Sequence, residues 1–467
     1  MSRPAAVFLL ALVPIALVTR GAVFLAGNDA SRFAHIESLV DHGSASIERS
    51  HFSWTVDRAE IGGRIYSNKP PLLAIVGAAL YAPLHALGYS FREETRGIVV
   101  RLLTILLAGV PTAWLAAEFF RALSLHPGIG DGTRLLVTAA LVFGTTLLTF
   151  SVTLAGHTVA AALLFAAFHD AARGGAARSG LLAGLAVSID TVPALGIAPA
   201  LLFIAARGSG RRAAVRFVLA FSAAVLVYVA ANLATTGSPW PPKLTPGARD
   251  WTQAAGASAR ATQIPPGRET YLVSGLFGWQ GFLTTSPVLV FGAAGLLRGA
   301  RKRLVLHPGD CVAMAVAIGV QVVGRCSFPA LAGGWSYGFR YLVPVIPLLM
   351  FFAPAALGGW RTAAFGALLP AAVAVALIGV YNPWPPVRER LAVQNPVIAA
   401  VTNPIGANLA AFLEERLPGS RASSWAARTF VSPDPEIQRK YFAYFYATLG
   451  DEELCRRYDP DVAAALP

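Results

Sequence analysis

The amino-acid sequence predicts an all-α, polytopic membrane protein, and three observations lead to that class. Of its 467 residues, 55% are hydrophobic and only 13% are charged, whereas soluble domains carry about 25% charged residues. Several apolar runs reach the roughly 20 residues with which an α-helix crosses the hydrocarbon core of a bilayer. The excess of Lys and Arg, a formal net charge of +13, stands in short clusters between those runs. The bilayer is therefore the expected partner, and nucleic acid is not.

The basic clusters orient the chain, because Lys and Arg accumulate in the cytoplasmic loops of membrane proteins. About eleven crossings place these clusters on one side, with boundaries near 5–26, 98–120, 135–155, 158–172, 180–191, 194–206, 213–235, 285–298, 309–325, 341–358 and 362–380. The pair at 180–206 is short and breaks at Asp190, so a half-depth hairpin is the alternative to two crossings. The apolar stretch 70–88 is predicted to lie flat on the membrane, since a crossing there would invert everything after it.

Three polar segments then lie on the external side, where function is expected. They are a first external loop at 27–97, a second external loop at 236–284 and a tail at 381–467. The tail is predicted to form a small α-rich domain beyond a transmembrane module at 1–380. Its expected packing residues are Tyr441, Phe442, Tyr444 and Phe445. This topology implies an integral protein of the inner or plasma membrane with its active site on the periplasmic or external face.

The first external loop opens with Asn28 and Asp29, and a helix follows. Apolar residues recur at helical spacing before a glycine that suits a helix stop: Phe33, Ile36, Leu39, Val40 and Gly43. This pattern predicts an amphipathic helix on the membrane surface with Asp29 at its N-cap. Two interpretations of Asp29 remain open. It is a cap alone, or it is a general base that faces a lipid-borne substrate, with Arg32 and His35 beside it.

Lys69 stands directly before Pro70 and Pro71, which fit the first turn of a helix. An ammonium at a helix N-terminus opposes the helix dipole unless an anion lies between them. A phosphate would use both the charge of Lys69 and the free N–H groups of the helix. The alternative is a lysine that extends its ammonium towards the lipid headgroups.

Several segments together resemble a known superfamily. The sequence NDASR at 28–32 follows the first membrane helix, and YSNKPPLL follows at 66–73. Further along come GLLAGLAV at 180–187, TGSP at 236–239 and GGWSYGFRYLVP at 333–344. In order and placement they are similar to the GT-C superfamily of integral-membrane glycosyltransferases. Within it, the chain most resembles the branch of protein O-mannosyltransferases and lipid A aminoarabinose transferases.

The resemblance implies a GT-C fold and transfer of a sugar from a polyprenyl-phosphate-linked donor to a hydroxyl of a lipid, glycan or protein acceptor, with inversion. It implies that Asp29 is the catalytic base and that Lys69 and Arg340 bind the donor phosphate. Substrate contacts are expected from Asn28, Arg32, Tyr66, Trp335 and Tyr341. No cofactor is expected, and nothing in the sequence indicates a divalent metal. For Arg340, an interfacial arginine between aromatic anchors is the alternative.

Two features depart from the superfamily pattern. Ala30 follows Asp29 where many relatives carry Glu, and Phe33 replaces a common Tyr. Among the other polar residues, His157 is predicted to be an interfacial hydrogen-bonding histidine, with a ligand role as the alternative. His51, Asp57 and Glu60 are predicted to be solvated loop residues, with contact to the acceptor as the alternative. The rival function is a membrane transporter or a flippase of lipid-linked sugars without catalytic activity, which the break at Asp190 favours.

Overall fold

The structure, a computed structural model, describes residues 2–24, 27–250, 268–301, 305–326, 336–385 and 403–464. Within them, four helical segments are long and apolar enough to cross a membrane: Glu93–Leu125, Gly210–Thr236, Pro308–Cys326 and Trp360–Tyr381. The chain is therefore an integral membrane protein. The count of about eleven crossings stays a prediction.

Helices dominate the described residues. In chain order they are α1 Arg3–Val18, α2 Asn28–Asp41, α3 Leu72–Ala86, α4 Glu93–Thr104, α5 Val110–Ala122, α6 Asp131–Phe143, α7 Thr146–Ser151, α8 Gly156–Ala172, α9 Ala176–Ile189, α10 Thr191–Thr236, α11 Arg268–Phe277, α12 Leu289–Arg301, α13 Pro308–Cys326, α14 Ile346–Met350, α15 Trp360–Tyr381, α16 Pro404–Arg416, α17 Arg421–Ala426, α18 Pro435–Leu449, α19 Glu452–Tyr458 and α20 Pro460–Ala464. Short π or 3₁₀ turns adjoin them at Ile105–Gly109, Leu123–Leu125, Pro242–Leu244, Arg340–Val345, Ala353–Ala356 and Ala427–Val431. The backbone of α10 breaks at Gly210 (φ 71°, ψ −161°).

The predicted crossing at 135–155 is divided in the structure. α6 ends at Phe143 with Gly144 as its C-cap. Thr145 is the N-cap of α7, and its hydroxyl accepts a hydrogen bond from the Leu147 N–H at 3.2 Å. A hydroxyl that caps a new helix competes with continuation of the previous one. The prediction, which used apolar composition alone, therefore joined two helices into one crossing.

The chain is not all-α, contrary to the prediction, because three short strands form an antiparallel sheet in the order β2–β1–β3. β1 Arg58–Ile61 and β2 Arg64–Ser67 form a hairpin. Gly62 and Gly63 close it with φ of 59° and 78°, as a two-residue type I′ turn requires. β3 Arg249–Asp250 pairs with β1. The sheet thus joins the first predicted external loop to the second.

α2 is buried inside the protein, which corrects the prediction of an amphipathic helix with one exposed face. Every residue from Asn28 to Ser38 is buried, because aromatic rings cover the apolar face and polar contacts, such as the hydrogen bond from the Ser50 hydroxyl to Glu37 at 2.6 Å, cover the other. The Phe33 ring lies 6.0 Å and 5.7 Å from those of Phe52 and Phe91. The N-cap is Gly27 (φ 83°), so Asp29 is the second residue of the helix and is not its cap.

Close packing of α9 against the second half of α10 depends on two glycines spaced as GxxxG. A Cβ on Gly180 would lie 2.2 Å from the Phe217 carbonyl oxygen, and one on Gly184 would lie 2.6 Å from that of Phe221. Small residues at this spacing let membrane helices approach closely. The GLLAGLAV segment therefore has a packing role.

The described C-terminal residues 403–464 are helical, as predicted for the tail. Tyr446 is fully buried and donates a hydrogen bond from its hydroxyl to the Ala411 carbonyl at 2.9 Å, whereas Tyr444 is only partly buried. Asn408 ties this unit to the end of α15 by donating to the Ile378 and Asn382 carbonyls at 2.9 Å and 2.8 Å. The external position of this unit stays a prediction.

Candidate active site

Asp29 is buried in the first turn of α2, with only 3% of its surface exposed. Its Oδ2 accepts a hydrogen bond from the Leu154 N–H at 3.2 Å, while Oδ1 has no hydrogen-bond partner among the described residues. Burial raises the pKa of Asp29 from 3.8 to about 7, although the Leu154 N–H and the charges of Arg32, Lys69 and Arg340 oppose this rise. The carboxyl group can therefore gain or lose a proton near neutral pH.

Arg32 lies one helical turn after Asp29 and is also buried. Its guanidinium donates a hydrogen bond to the Asn28 side-chain oxygen, so Asn28 fixes the direction in which Arg32 points. Burial lowers the pKa of Arg32, and the charges of Asp29 and Asp57 oppose that effect. Both predicted contact residues, Asn28 and Arg32, thus lie beside Asp29.

Lys69 forms a buried ion pair with Asp57, Nζ to Oδ2, at 2.7 Å, and their side chains are 12% and 10% exposed. The hairpin brings the two together, since Asp57 precedes β1 and Lys69 follows β2. Ser31 on α2 donates from its hydroxyl to the Asp57 carbonyl at 2.5 Å. The prediction of a solvated Asp57 is therefore wrong.

The Asp57–Lys69 pair changes the proton affinity of both groups. Burial on its own raises the pKa of Asp57, but Lys69 and Lys243 outweigh it and hold that pKa below its usual range. Burial lowers the pKa of Lys69 to about 7 against the opposing charge of Asp57. An anion that approaches Lys69 would favour its protonated form.

Arg340 begins a 3₁₀ turn and its guanidinium lies between aromatic rings. It donates to the Tyr341 hydroxyl at 2.9 Å and lies 5.1 Å from the Trp384 ring centroid. The Arg325 guanidinium lies 4.9 Å from the same Tyr341 ring. Arg340 acts electrostatically on Asp29 and Asp57, so the late segment joins the site of the first loop.

Lys243 and the pairing of His157 with Asp190 escaped the sequence analysis. Lys243 lies 3.7 Å from Asp250 and acts on Asp57 and Lys69. The sequence feature that could have pointed to Lys243 is its position directly after two prolines in the predicted second external loop, whereas Lys69 directly precedes two prolines. His157 Nδ1 lies 2.5 Å from Asp190 Oδ2, and its ring packs edge-on to Tyr341 at 5.6 Å. The interfacial interpretation of His157 missed this pairing.

The two remaining predicted residues are not placed in the group. Tyr66 is buried on β2 opposite Ala59, and no hydrogen bond joins its hydroxyl to the charged side chains among the described residues. Trp335 lies outside the described residues. In the part of the chain that is described, no three His, Cys, Asp or Glu side chains are grouped to hold a metal ion.

Contacts and electrostatic interactions join these residues into one charged cluster. Its cations are Arg32, Lys69, Lys243, Arg325 and Arg340, and its carboxylates are Asp29, Asp57, Asp190 and Asp250. With His157 neutral and Lys69 protonated, these described residues carry one excess positive charge when Asp29 is ionised and two when Asp29 is protonated. Such a cluster can hold an anion whose charge changes during a reaction.

No protein-family profile and no curated protein matches the chain. Solved structures do match. The oligosaccharyltransferase AglB from Archaeoglobus fulgidus, in complex with an inhibitory peptide and a dolichol-phosphate, is 14% identical with a TM-score of 0.49 over 89% of this chain. The chain spans only 58% of that protein. ArnT from Cupriavidus metallidurans, bound to undecaprenyl phosphate, is 15% identical with a TM-score of 0.48, over 98% of this chain and 74% of ArnT. Both are GT-C superfamily membrane glycosyltransferases, the superfamily that the sequence resembles.

Proposed function

We propose that the chain is a membrane glycosyltransferase that moves a sugar from a polyprenyl-phosphate donor to an acceptor hydroxyl. The observation that carries this proposal is the buried Asp29, which lies among basic side chains with a pKa of about 7 and has one carboxylate oxygen without a hydrogen-bond partner among the described residues. In this proposal Asp29 is the general base, and Lys69 and Arg340 bind the donor phosphate. The site lies on the external face of an inner or plasma membrane.

The charge of the cluster matches this reaction at each stage. The acceptor oxygen attacks the anomeric carbon, the bond from that carbon to the phosphate oxygen breaks, and the acceptor proton moves to Asp29. The phosphodiester donor carries one negative charge and the polyprenyl phosphate product approaches two. Protonation of Asp29 raises the excess positive charge of the cluster from one to two at the same time. The site therefore stabilises the leaving phosphate without a change in overall charge.

Direct displacement needs one base and a bound leaving group, and it inverts the anomeric centre. Asn28, Arg32, Tyr66, Trp335 and Tyr341 complete the proposed substrate contacts. The acceptor is a lipid, a glycan or a protein hydroxyl. The transmembrane module at 1–380 carries the site, and the domain at 381–467 lies outside the membrane.

The test is sugar release from a panel of undecaprenyl-phosphate-linked sugars by the purified protein in detergent or lipid nanodiscs. We expect one donor to be consumed with release of undecaprenyl phosphate. The control is the same panel with a known transferase of this superfamily. If that enzyme turns over its donor while this chain consumes none yet carries a labelled donor across vesicle membranes, the transporter function replaces the transferase.

The pH dependence of kcat/KM should be a narrow bell centred near pH 7. Activity rises as Asp29, whose pKa is about 7, loses its proton. It falls again as free Lys69, with a pKa of about 7, loses its charge. The alkaline limb of kcat should lie at higher pH, because the bound phosphate favours charged Lys69. A kcat/KM that stays constant between about pH 6 and about pH 8 would contradict both assignments.

A further inference from the structure

The pair of His157 and Asp190 belongs to the charged cluster, yet the proposed chemistry gives it no task. The His157 and Asp190 side chains are 9% and 15% exposed, so the pair is largely buried but keeps a small accessible surface. Arg32 and Arg340, which also act on Asp29, both act electrostatically on His157. The pair therefore lies beside the proposed phosphate and base groups.

Asp190 occupies the N-cap position of α10 but does not cap the helix with its side chain. An aspartate there normally accepts a hydrogen bond from the first turn, which stabilises the helix. Here the carboxylate contacts His157 Nδ1 at 2.5 Å instead. The local helix thus gives up a cap so that the imidazole is held in one orientation.

The chemistry of the pair determines what His157 presents. It is the second residue of α8, where the helix dipole disfavours an imidazolium. An ionised carboxylate only accepts hydrogen bonds, so Asp190 places the proton on Nδ1 and leaves Nε2 as an acceptor. The Tyr341 ring at 5.6 Å limits rotation of the imidazole. Nε2 of His157 can therefore accept a hydrogen bond, and a hydroxyl is a group that can donate one beside a phosphate site.

We propose that His157 binds a sugar hydroxyl of the substrate through Nε2 and that Asp190 is the residue that positions it. This inference rests on the proposed transferase function. The hydroxyl belongs to the sugar of the donor or to the acceptor, and the two sources differ in their effect on donor affinity. Asp29 remains the base that removes the acceptor proton.

Two substitutions of His157 separate this role from a structural one. In His157→Gln the side-chain amide reaches the position of Nε2, whereas in His157→Asn it reaches that of Nδ1 and keeps the bond to Asp190. We expect His157→Asn to lower kcat/KM about tenfold, as for loss of one substrate hydrogen bond, and His157→Gln to retain most of it. Asp190→Asn should resemble His157→Asn.

Binding and melting measurements complete the test. Undecaprenyl phosphate without a sugar should bind all three variants as it binds wild type, which also shows that they fold. Weaker binding of the sugar-linked donor to His157→Asn assigns the hydroxyl to the donor, and unchanged donor binding with a raised acceptor KM assigns it to the acceptor. Wild-type kcat/KM in His157→Asn, or better activity of Asn than of Gln, would overturn the inference while the transferase stands. If wild type consumes no donor, the proposed function fails and this inference fails with it.

Discussion

An Asp29→Asn protein will fold, but it will transfer sugar at least about 100-fold more slowly than wild type, the usual effect of a missing general base. Asparagine keeps the size of the side chain and can still accept the Leu154 N–H bond, which in wild type is 3.2 Å long. It cannot take a proton from the acceptor. The measurement is kcat with saturating donor, and the loss should appear in kcat more than in KM because the base acts in the transition state.

The same substitution should stabilise the protein above neutral pH. The pKa of Asp29 is raised to about 7 in the folded chain, so the wild type loses stability as the pH rises from the unfolded pKa towards 7. Asparagine does not ionise and escapes this loss. The advantage should be absent near pH 4 and reach about 4 kcal/mol above pH 7, from about 1.4 kcal/mol per pKa unit. Melting temperatures across this range measure it.

Asp170→Asn is the matched control for Asp29→Asn, because it makes the same change in an aspartate outside the charged cluster. Asp170 lies near the C-terminal end of α8, 3.2 Å from Arg178, whereas His157 of the cluster lies at the N-terminal end of that helix. We expect its kcat to stay within about twofold of wild type. An Asp29→Asn protein with wild-type kcat would show that the carboxylate is only structural. Loss of kcat together with a lower melting temperature at alkaline pH would contradict the argument from burial.

Three members of the charged cluster could be proposed from the sequence, but their partners could not. Asp29, Lys69 and Arg340 stand in local patterns, a helix start or a proline pair, that can be interpreted one segment at a time. The burial of Asp57 depends on the hairpin and on β3, and Asn68 on that hairpin bonds to Asp250 at 3.1 Å, 182 residues away. No local pattern contains that contact.

Local patterns also leave out the burial of α2 and the pairing of His157 with Asp190. α2 has the spacing of a surface helix, but the Phe52 and Phe91 rings cover a face that the pattern leaves to solvent or lipid. The pairing of His157 with Asp190 joins two helix starts 33 residues apart. Apolar periodicity predicts where helices form, but it does not predict which other segments pack against each helix.

Lys69→Met should weaken binding of undecaprenyl phosphate by about 10- to 100-fold, the effect of removing one charge-assisted hydrogen bond. The substitution keeps the length of the apolar stem and removes the ammonium. It also leaves the buried Asp57 carboxylate without the partner that lies 2.7 Å away. The free energy of unfolding should therefore fall by about 3–5 kcal/mol, as for other broken buried pairs. Titration with the lipid in nanodiscs, with thermal melts alongside, measures both effects.

Asp57→Asn distinguishes the two consequences, because it breaks the same pair from the other side. Stability should fall as it does in Lys69→Met, but Lys69 loses its internal competitor, so undecaprenyl phosphate should bind as tightly as to wild type or more tightly. Lys440→Met removes a lysine whose partner Glu436, 2.7 Å away, is exposed, and it should change stability by less than about 1 kcal/mol. If Asp57→Asn weakens phosphate binding as much as Lys69→Met does, the pair only supports the fold and Lys69 does not bind the donor. Weaker binding by Lys69→Met together with unchanged or tighter binding by Asp57→Asn, at equal loss of stability, would support a direct contact between the Lys69 ammonium and the phosphate.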